Sequence, residues 1–157
     1  MVNIFVSIIN YNGIENTLNC LETLDEVEVK GFKLSVVVVD NGSKDEFKKS
    51  EKYKNFDLKV IREEINSGFS GGQNIGIKFA LEKGADYVLV LNNDVTLDKN
   101  LIVELLNTFS LEKDSGLVSP KIYFSKGSEF HKNRYAKEDL GNVIWYAGGK
   151  MDWKNII

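Results

Sequence analysis

The chain has 157 residues, of which 43% are hydrophobic and 27% are charged, a composition that predicts one globular domain with a buried core. Its formal net charge of -3 gives no electrostatic reason to expect nucleic acid as a partner. The single cysteine, Cys20, excludes an internal disulfide framework and a cysteine zinc site, and its leucine-rich surroundings favour a buried thiol.

Short apolar runs alternate with amphipathic stretches along the first two thirds of the chain. The apolar runs predict strands over residues 4–9, 34–39, 58–61 and 87–91. Helices are predicted over residues 14–24, 44–53 and 71–83, and a further helix follows Asp98 and runs through Phe109. This rhythm predicts an α/β fold with a largely parallel sheet and right-handed crossovers.

The last third of the chain has a weaker pattern. Residues 117–124 are strand-like but contain the only proline, Pro120, which indicates an edge strand or a bend. Residues 125–140 are polar, carry the only histidine, His131, and predict a surface loop. Residues 143–153 are strand-like again.

A polar loop follows each of the four predicted strands, at residues 10–13, 40–45, 66–74 and 92–94. Because the carboxyl ends of parallel strands meet at one edge of a sheet, these loops are expected to lie together in the crevice where open α/β sheets bind ligands. Polar groups concentrated at one edge are typical of a site for a polar, phosphate-containing ligand.

The segment Asn92-Asn93-Asp94 directly follows the apolar run of residues 87–91. A carboxylate flanked by two amides suits a hard cation that keeps several waters and bridges to phosphates. The alternative is an ordinary turn, since Asn and Asp favour turns for local hydrogen-bonding reasons.

Two other loops carry candidate ligand contacts. Asp40, at a strand end, has an acceptor for a nucleobase or ribose, or else begins a turn or caps a helix. Glycines at positions 68, 71 and 72 permit a close approach of the backbone to a diphosphate at the start of the next helix, with a flexible loop as the alternative.

Several other classes of function lack their motifs. The chain contains no Gly-Lys-Ser/Thr phosphate loop, and no Gly-x-Gly-x-x-Gly follows the first strand. One histidine in a polar loop argues against a serine or cysteine triad. The first residues lack a signal-peptide pattern, and no apolar run approaches the ~20 residues that span a bilayer. These features predict a cytoplasmic protein, with association to the inner face of the membrane through partners left open.

Four segments in order resemble family 2 glycosyltransferases of the rhamnosyltransferase-like subgroup. They are VSIINYNG at residues 6–13, VVVDNGSKD at 37–45, NSGFSGGQNIG at 66–76 and LVLNND at 89–94, and YAGG at 146–149 is similar to a later glycine-containing strand of the family. The resemblance implies the GT-A fold, with a mostly parallel central sheet flanked by helices, as a single nucleotide-sugar-binding domain over residues 1–157, truncated at the C-terminus.

The resemblance also implies an activity and a set of site residues. Such enzymes transfer a sugar, rhamnose among the candidates, from a UDP- or dTDP-linked donor to a hydroxyl of a saccharide or lipid-linked acceptor, with inversion and with Mg²⁺ or Mn²⁺, in cell-surface polysaccharide synthesis. The implied metal ligand is Asp94. The implied donor-binding residues are Asn10, Asn12, Asp40, Asn66, Gly71, Gly72, Asn74 (at the start of its helix), Asn92 and Asn93.

The chain departs from the family pattern at its end. Asp152 does not resemble the acidic motif that supplies the general base, so the resemblance implies a base beyond Ile157. We therefore expect the donor-binding half of a transferase, with a homo-oligomer or a complementary chain as possible partners. The alternative is a non-catalytic domain that binds a nucleotide sugar or docks to a partner. A sugar nucleotidyltransferase would carry a first loop rich in glycine and arginine, which is absent.

Overall fold

The structure is a computed structural model that describes residues 1–49, 53–149 and 154. Its contacts divide into two compact units, Met1–Val103 and Glu104–Ile157, and each is described by itself. The expectation of a single domain over the whole chain stays a prediction.

The first unit is built on a four-stranded parallel sheet. Its strands are β1 (Val2–Asn10), β2 (Phe32–Asn41), β3 (Asp57–Glu63) and β4 (Tyr87–Leu91), in the order β3-β2-β1-β4. The helices are α1 (Ile14–Asp25) and α2 (Gly68–Glu82), followed by α3 (Leu101–Leu111), in which the first unit ends. The mostly parallel α/β sheet predicted from the sequence is confirmed.

The two helices cover opposite faces of this sheet. Side chains alternate between the faces of a strand, and in β1 Asn10 bonds to Thr17 of α1 whereas Ser7 bonds to Gln73 of α2. A Cβ atom on Gly76 of α2 would lie 2.1 Å from Ser7 Oγ, so only glycine lets the helix approach this closely. The four valines of β2 are at most 1% exposed, as expected for a strand covered on both faces.

The sequence predictions for the first unit hold with two exceptions. The bounds of β4 agree with the prediction, and Cys20 is fully buried. The predicted helix over 44–53 is wrong for residues 44–49, and residues 50–52 lie outside the described part of the chain. The reason is Phe47, which is buried and donates its backbone N–H to Asp40 instead of to a helical carbonyl. The other exception is α2, which begins at Gly68, three residues before the predicted start.

The second unit contains little regular structure. After α3, the strands β5 (Ile122–Tyr123) and β6 (Ile144–Tyr146) pair antiparallel, so the strand predictions for 117–124 and 143–153 are confirmed over two and three residues. Residues 150–153 lie outside the described part. The predicted loop over 125–140 consists of turns and one short 3-10 helix, Lys132–Arg134. Within the described residues, no helix combines the length and apolarity needed to cross a membrane.

Candidate functional site

A small pocket lies at the carboxyl edge of the parallel sheet. It has a volume of about 210 Å³ and is lined by the loops after β1 and β4 and by the start of α2. The lining residues are Ile9, Tyr11, Phe69, Asn92, Asn93 and Asp94. Three of the four predicted loops therefore meet at this edge, as the parallel topology requires.

Asp94 supplies the only carboxylate among the residues that line this pocket. Asp94 and Asn92 are both exposed, so their oxygens are accessible to a ligand. The described residues contain no cluster of three His, Cys, Asp or Glu side chains that could hold a metal ion by themselves. One carboxylate beside amides fits Mg²⁺ or Mn²⁺ of the kind that keeps waters and completes its coordination with phosphate oxygens.

Asn93 connects the turn after β4 to the beginning of α1. Its Nδ2 donates to Thr17 Oγ1 at 2.9 Å and to the Gly13 carbonyl at 3.4 Å. Asn93 thus lines the pocket while its amide nitrogen is held by the protein, next to the exposed Asp94.

Asp40 lies at the centre of a buried polar cluster. Its Oδ1 accepts from Asn10 Nδ2 at 2.9 Å and from the Ser43 hydroxyl. Its Oδ2 accepts from the Phe47 backbone N–H at 2.9 Å and from Arg62 Nη1 at 2.6 Å. Asp40 and Asn10 are both 0% exposed, so contact of either side chain with a nucleoside stays a prediction.

The ionisation of Asp40 follows from these partners. Burial by itself raises the pKa of a carboxyl group, because it disfavours the charged form. The hydrogen bonds from Phe47, Ser43, Asn10 and Arg62 outweigh burial and hold the pKa of Asp40 below its ordinary value. The carboxylate is therefore charged at neutral pH and accepts at both oxygens.

Asn41 is a site residue that the sequence pattern does not single out. It is 2% exposed, and its Nδ2 donates to Asn66 Oδ1 and to the Gly68 carbonyl, both at 3.0 Å. Its Oδ1 accepts from the backbone N–H and the hydroxyl of Ser67. Asn41 thus holds the loop that leads into α2, and Asn66 is brought to this edge as one of its partners.

The remaining predicted residues of this loop lie inside α2. Gly72 is buried, and a Cβ atom there would lie 3.0 Å from Ile9 Cδ1 and 3.1 Å from Asn41 Nδ2. A Cβ atom on Gly71 would lie 2.6 Å from Ser67 Oγ. Close packing therefore explains why glycine is needed at both positions. Asn74 is exposed, but it lies in the second turn of α2 and not at the helix start as expected.

Asn12 lines a second cavity at the same edge. This cavity has a volume of about 540 Å³ and is lined by residues 12–16, 44 and 45. Asn12 adopts a left-handed backbone conformation with φ of 52°. Its N–H donates to Ser43 Oγ, and its Oδ1 accepts from the Lys44 N–H, both at 2.9 Å. The loop after β1 is therefore fixed to the loop after β2.

Two aromatic residues of the pocket are also additions to the predicted site. Tyr11 is 51% exposed and Phe69 is 59% exposed, although both are large and apolar. Their place in predicted polar, glycine-containing loops after strands, rather than in an apolar run, is the sequence signal that could have identified them. Arg62 could have been found from strand register, because it is paired with Asp40 across β2 and β3.

The parallel sheet and the polar ends of its strands define an α/β domain with a pocket at its carboxyl edge, and sequence comparison gives its family. The profile of Glycosyl transferase family 2 matches residues 5–155. The chain belongs to this family of glycosyltransferases.

Two curated relatives agree with this family. The low-salt glycan biosynthesis hexosyltransferase Agl10 of Haloferax volcanii is 32% identical over 123 residues, which cover 78% of this chain and 37% of that protein. The dTDP-rhamnosyl transferase RfbF of Shigella flexneri is 30% identical over 160 residues, which cover 99% of this chain and 51% of that protein. The chain thus spans about half or less of the length of these relatives.

Solved structures confirm the GT-A fold. TarS 1-349 of S. aureus in complex with UDP-GlcNAc superposes with a TM-score of 0.60 at 22% identity, over 76% of this chain and 37% of that one. The same protein in complex with UDP gives a TM-score of 0.60 at 24% identity, over 76% and 38%.

Proposed function

We propose that this chain is the donor-binding part of a glycosyltransferase that uses a UDP- or dTDP-linked sugar together with Mg²⁺ or Mn²⁺. One observation carries the proposal. In a member of this family, an exposed carboxylate, Asp94, lines a pocket at the carboxyl edge of the parallel sheet, beside the amides of Asn92 and Asn93. The names of the relatives support the donor class, because one is a dTDP-rhamnosyl transferase and a fold neighbour was crystallised with UDP.

The size of the pocket indicates which part of the donor it receives. A volume of about 210 Å³ is below the roughly 300–1,000 Å³ of a typical small-molecule site. We assign it to the diphosphate and the cation, with the nucleoside and the sugar extending along the edge. The exposed rings of Tyr11 and Phe69 offer apolar surfaces on which a base or sugar ring can pack.

The other residues of the edge shape this site rather than filling it. Asn10 and Asp40 are buried and hold the loop after β1 through Ser43 and Asn12. Asn66, Gly71 and Gly72 set the position of the first turn of α2, which carries Phe69, and Asn74 offers an exposed amide one turn further along. The positive end of the α2 dipole is directed to the same edge and favours a bound diphosphate.

The chemistry of the proposed reaction is the attack of an acceptor hydroxyl on the anomeric carbon with inversion. Asp94 would hold the cation, which when bound supplies Lewis-acid stabilisation of the departing nucleotide diphosphate, worth several kcal/mol in comparable sites. The acceptor hydroxyl needs a separate base within hydrogen-bond reach. We place that base outside this pocket. A saccharide or lipid-linked acceptor and a role in cell-surface polysaccharide synthesis on the cytoplasmic side of the membrane complete the proposal.

Calorimetric titration of UDP and dTDP, with and without Mn²⁺, tests the assignment of Asp94. We expect metal-dependent binding that weakens more than tenfold in Asp94→Asn, on the scale of one lost charged ligand. The matched control is Asp98→Asn, because Asp98 lies outside the pocket and its bond to the Asn100 N–H survives in the amide. Unchanged binding in Asp94→Asn would remove Asp94 from the site. Hydrolysis or transfer of a UDP- or dTDP-linked sugar by the chain would favour the enzyme over the non-catalytic binding domain.

A further inference from the structure

A continuous set of side-chain hydrogen bonds crosses the carboxyl edge from β3 to the turn after β4. Its members, here called the strand-end network, are Arg62, Asp40, Asn10, Thr17 and Asn93. Arg62 Nη1 donates to Asp40 Oδ2 at 2.6 Å, and Asn10 Nδ2 donates to Asp40 Oδ1 at 2.9 Å. Thr17 Oγ1 donates to Asn10 Oδ1 at 3.0 Å and accepts from Asn93 Nδ2 at 2.9 Å. The network therefore joins the ends of all four strands of this sheet.

The interior of the strand-end network is closed to solvent. Asp40, Asn10 and Thr17 are each 0% exposed. In a buried position an unpaired polar group is costly, because no water replaces the missing partner. We therefore expect the hydrogen bonds among these buried side chains to fix their orientations.

The charge on Asp40 fixes the direction of every bond in the network. A carboxylate accepts only, so Asn10 must present its amide nitrogen to Asp40 and its carbonyl oxygen to Thr17. The Thr17 hydroxyl carries one proton, which it donates towards Asn10 and the Gly13 carbonyl, and it accepts from Asn93. Asn93 therefore presents Nδ2 to the network and directs Oδ1 away from it.

We propose that Thr17 is a positioning residue whose hydroxyl fixes Asn93, and thereby places the adjacent Asp94 carboxylate at the 210 Å³ pocket for a divalent cation. This inference rests on the proposed function. Without the Thr17 hydroxyl, the Asn93 amide nitrogen keeps only its 3.4 Å contact to the Gly13 carbonyl. Thr17 is also the member that connects α1 to the strand ends.

Paired substitutions at Thr17 distinguish positioning from general stability. Thr17→Val keeps the shape and removes the hydroxyl, whereas Thr17→Ser keeps the hydroxyl and removes a methyl group. Thr108→Val is the control, because the Thr108 hydroxyl donates to the Glu104 carbonyl of its own helix and, among the described residues, bonds to no member of the strand-end network. Mn²⁺ affinity is measured at saturating UDP, after urea unfolding has shown that each variant is folded.

We expect Thr17→Val to bind Mn²⁺ about fivefold more weakly, which is the scale of one lost hydrogen bond. Thr17→Ser should stay within about twofold of the unaltered chain, and Thr108→Val should match it. Equal affinity of Thr17→Val and the unaltered chain would overturn the proposal, as would an equal loss in Thr17→Ser. If Thr17→Val does not fold, Asn93→Leu removes the other partner of the same bond, at a residue that is only half-buried. It should lower Mn²⁺ affinity by at least the same factor.

A second readout needs no nucleotide. In the unliganded protein, the side-chain NH₂ resonances of Asn93 and the backbone amide resonance of Asp94 should shift in Thr17→Val and stay in place in Thr17→Ser. Unmoved resonances in Thr17→Val would overturn the positioning role. Absence of UDP–Mn²⁺ binding by the unaltered chain would instead contradict the proposed function, and the resonance shifts would still decide whether Thr17 places Asn93 and Asp94.

Discussion

Replacing Asp40 by asparagine removes the charge at the centre of the buried edge cluster and keeps the size of the side chain. All four groups that contact the Asp40 carboxylate are donors, so an amide there can accept from only one side of the cluster. The two donors that face the new NH₂ group therefore lose their hydrogen bonds to a charged acceptor, and each such bond is worth roughly 1.5–3 kcal/mol. Because the Arg62 side chain is 35% exposed and can recover water, we expect a total loss of about 3 kcal/mol in the free energy of unfolding.

Urea unfolding followed by circular dichroism measures this loss, and Asp57→Asn is the matched control. Asp57 also pairs with a cation of the same sheet, Lys33, but at 3.6 Å and with side chains that are 83% and 58% exposed. An exposed pair of this kind is worth at most about 1 kcal/mol. A loss below about 1 kcal/mol in Asp40→Asn, or a loss equal to that of Asp57→Asn, would refute the reasoning.

The contribution of the Asp40 carboxylate to the free energy of unfolding depends on pH in a defined direction. The pKa of folded Asp40 lies below its ordinary value of 3.8, so its contribution to stability is fully present above that value. The contribution disappears as the pH falls through the folded value. The difference in unfolding free energy between the unaltered chain and Asp40→Asn should therefore be constant between about pH 5 and 7 and narrow in more acidic solution. A difference that grows as the pH falls would contradict this sign.

Two further predictions concern the close packing of the edge. Gly42→Ala should lower the free energy of unfolding by about 2 kcal/mol more than Gly31→Ala. Both glycines have φ near +80°, but only at Gly42 would the new Cβ meet backbone, 2.6 Å from the Asn66 nitrogen. Equal losses of stability in the two variants would contradict the packing argument. The Cys20 thiol is buried, and its pKa is raised to about 12, by burial first and then by the Asp94 charge. A thiol reagent should therefore label Cys20 only after the chain unfolds. Rapid labelling of the folded chain would contradict this prediction.

The sequence predicts the fold well because hydrophobic period and strand-end polarity are local signals. The five apolar residues of β4 stand between polar neighbours, and both bounds follow from that contrast. The start of α2 does not follow in this way, because glycines at 68, 71 and 72 favour a loop in any local interpretation. Gly72 lies against Ile9 and Asn41, and the Gly68 carbonyl accepts from Asn41 Nδ2, and both of these partners are distant in sequence.

The residues of the candidate site likewise include some that the sequence predicts and some that it does not. Asp94 and the loops after the strands are predicted because the parallel topology places them together. Thr17 and Asn41 are not predicted, because each acts through partners 7 to 76 residues away. Arg62 follows only once β3 is paired with β2 in the observed register. The segment around Phe47 is another example, because its predicted helix is replaced by a loop whose Phe47 N–H donates to the Asp40 carboxylate.

Paramagnetic broadening by Mn²⁺ tests the central claim most directly. With UDP present, Mn²⁺ should broaden the backbone amide resonances of Tyr11, Phe69 and Asn93 most strongly, with Mg²⁺ as the diamagnetic reference. Residues at the opposite edge, where the Asn3 N–H bonds to Asp86, should be broadened least. This pattern would locate the cation at the carboxyl edge beside Asp94 when UDP is present. Broadening centred elsewhere, or none in the folded chain with UDP, would contradict the account.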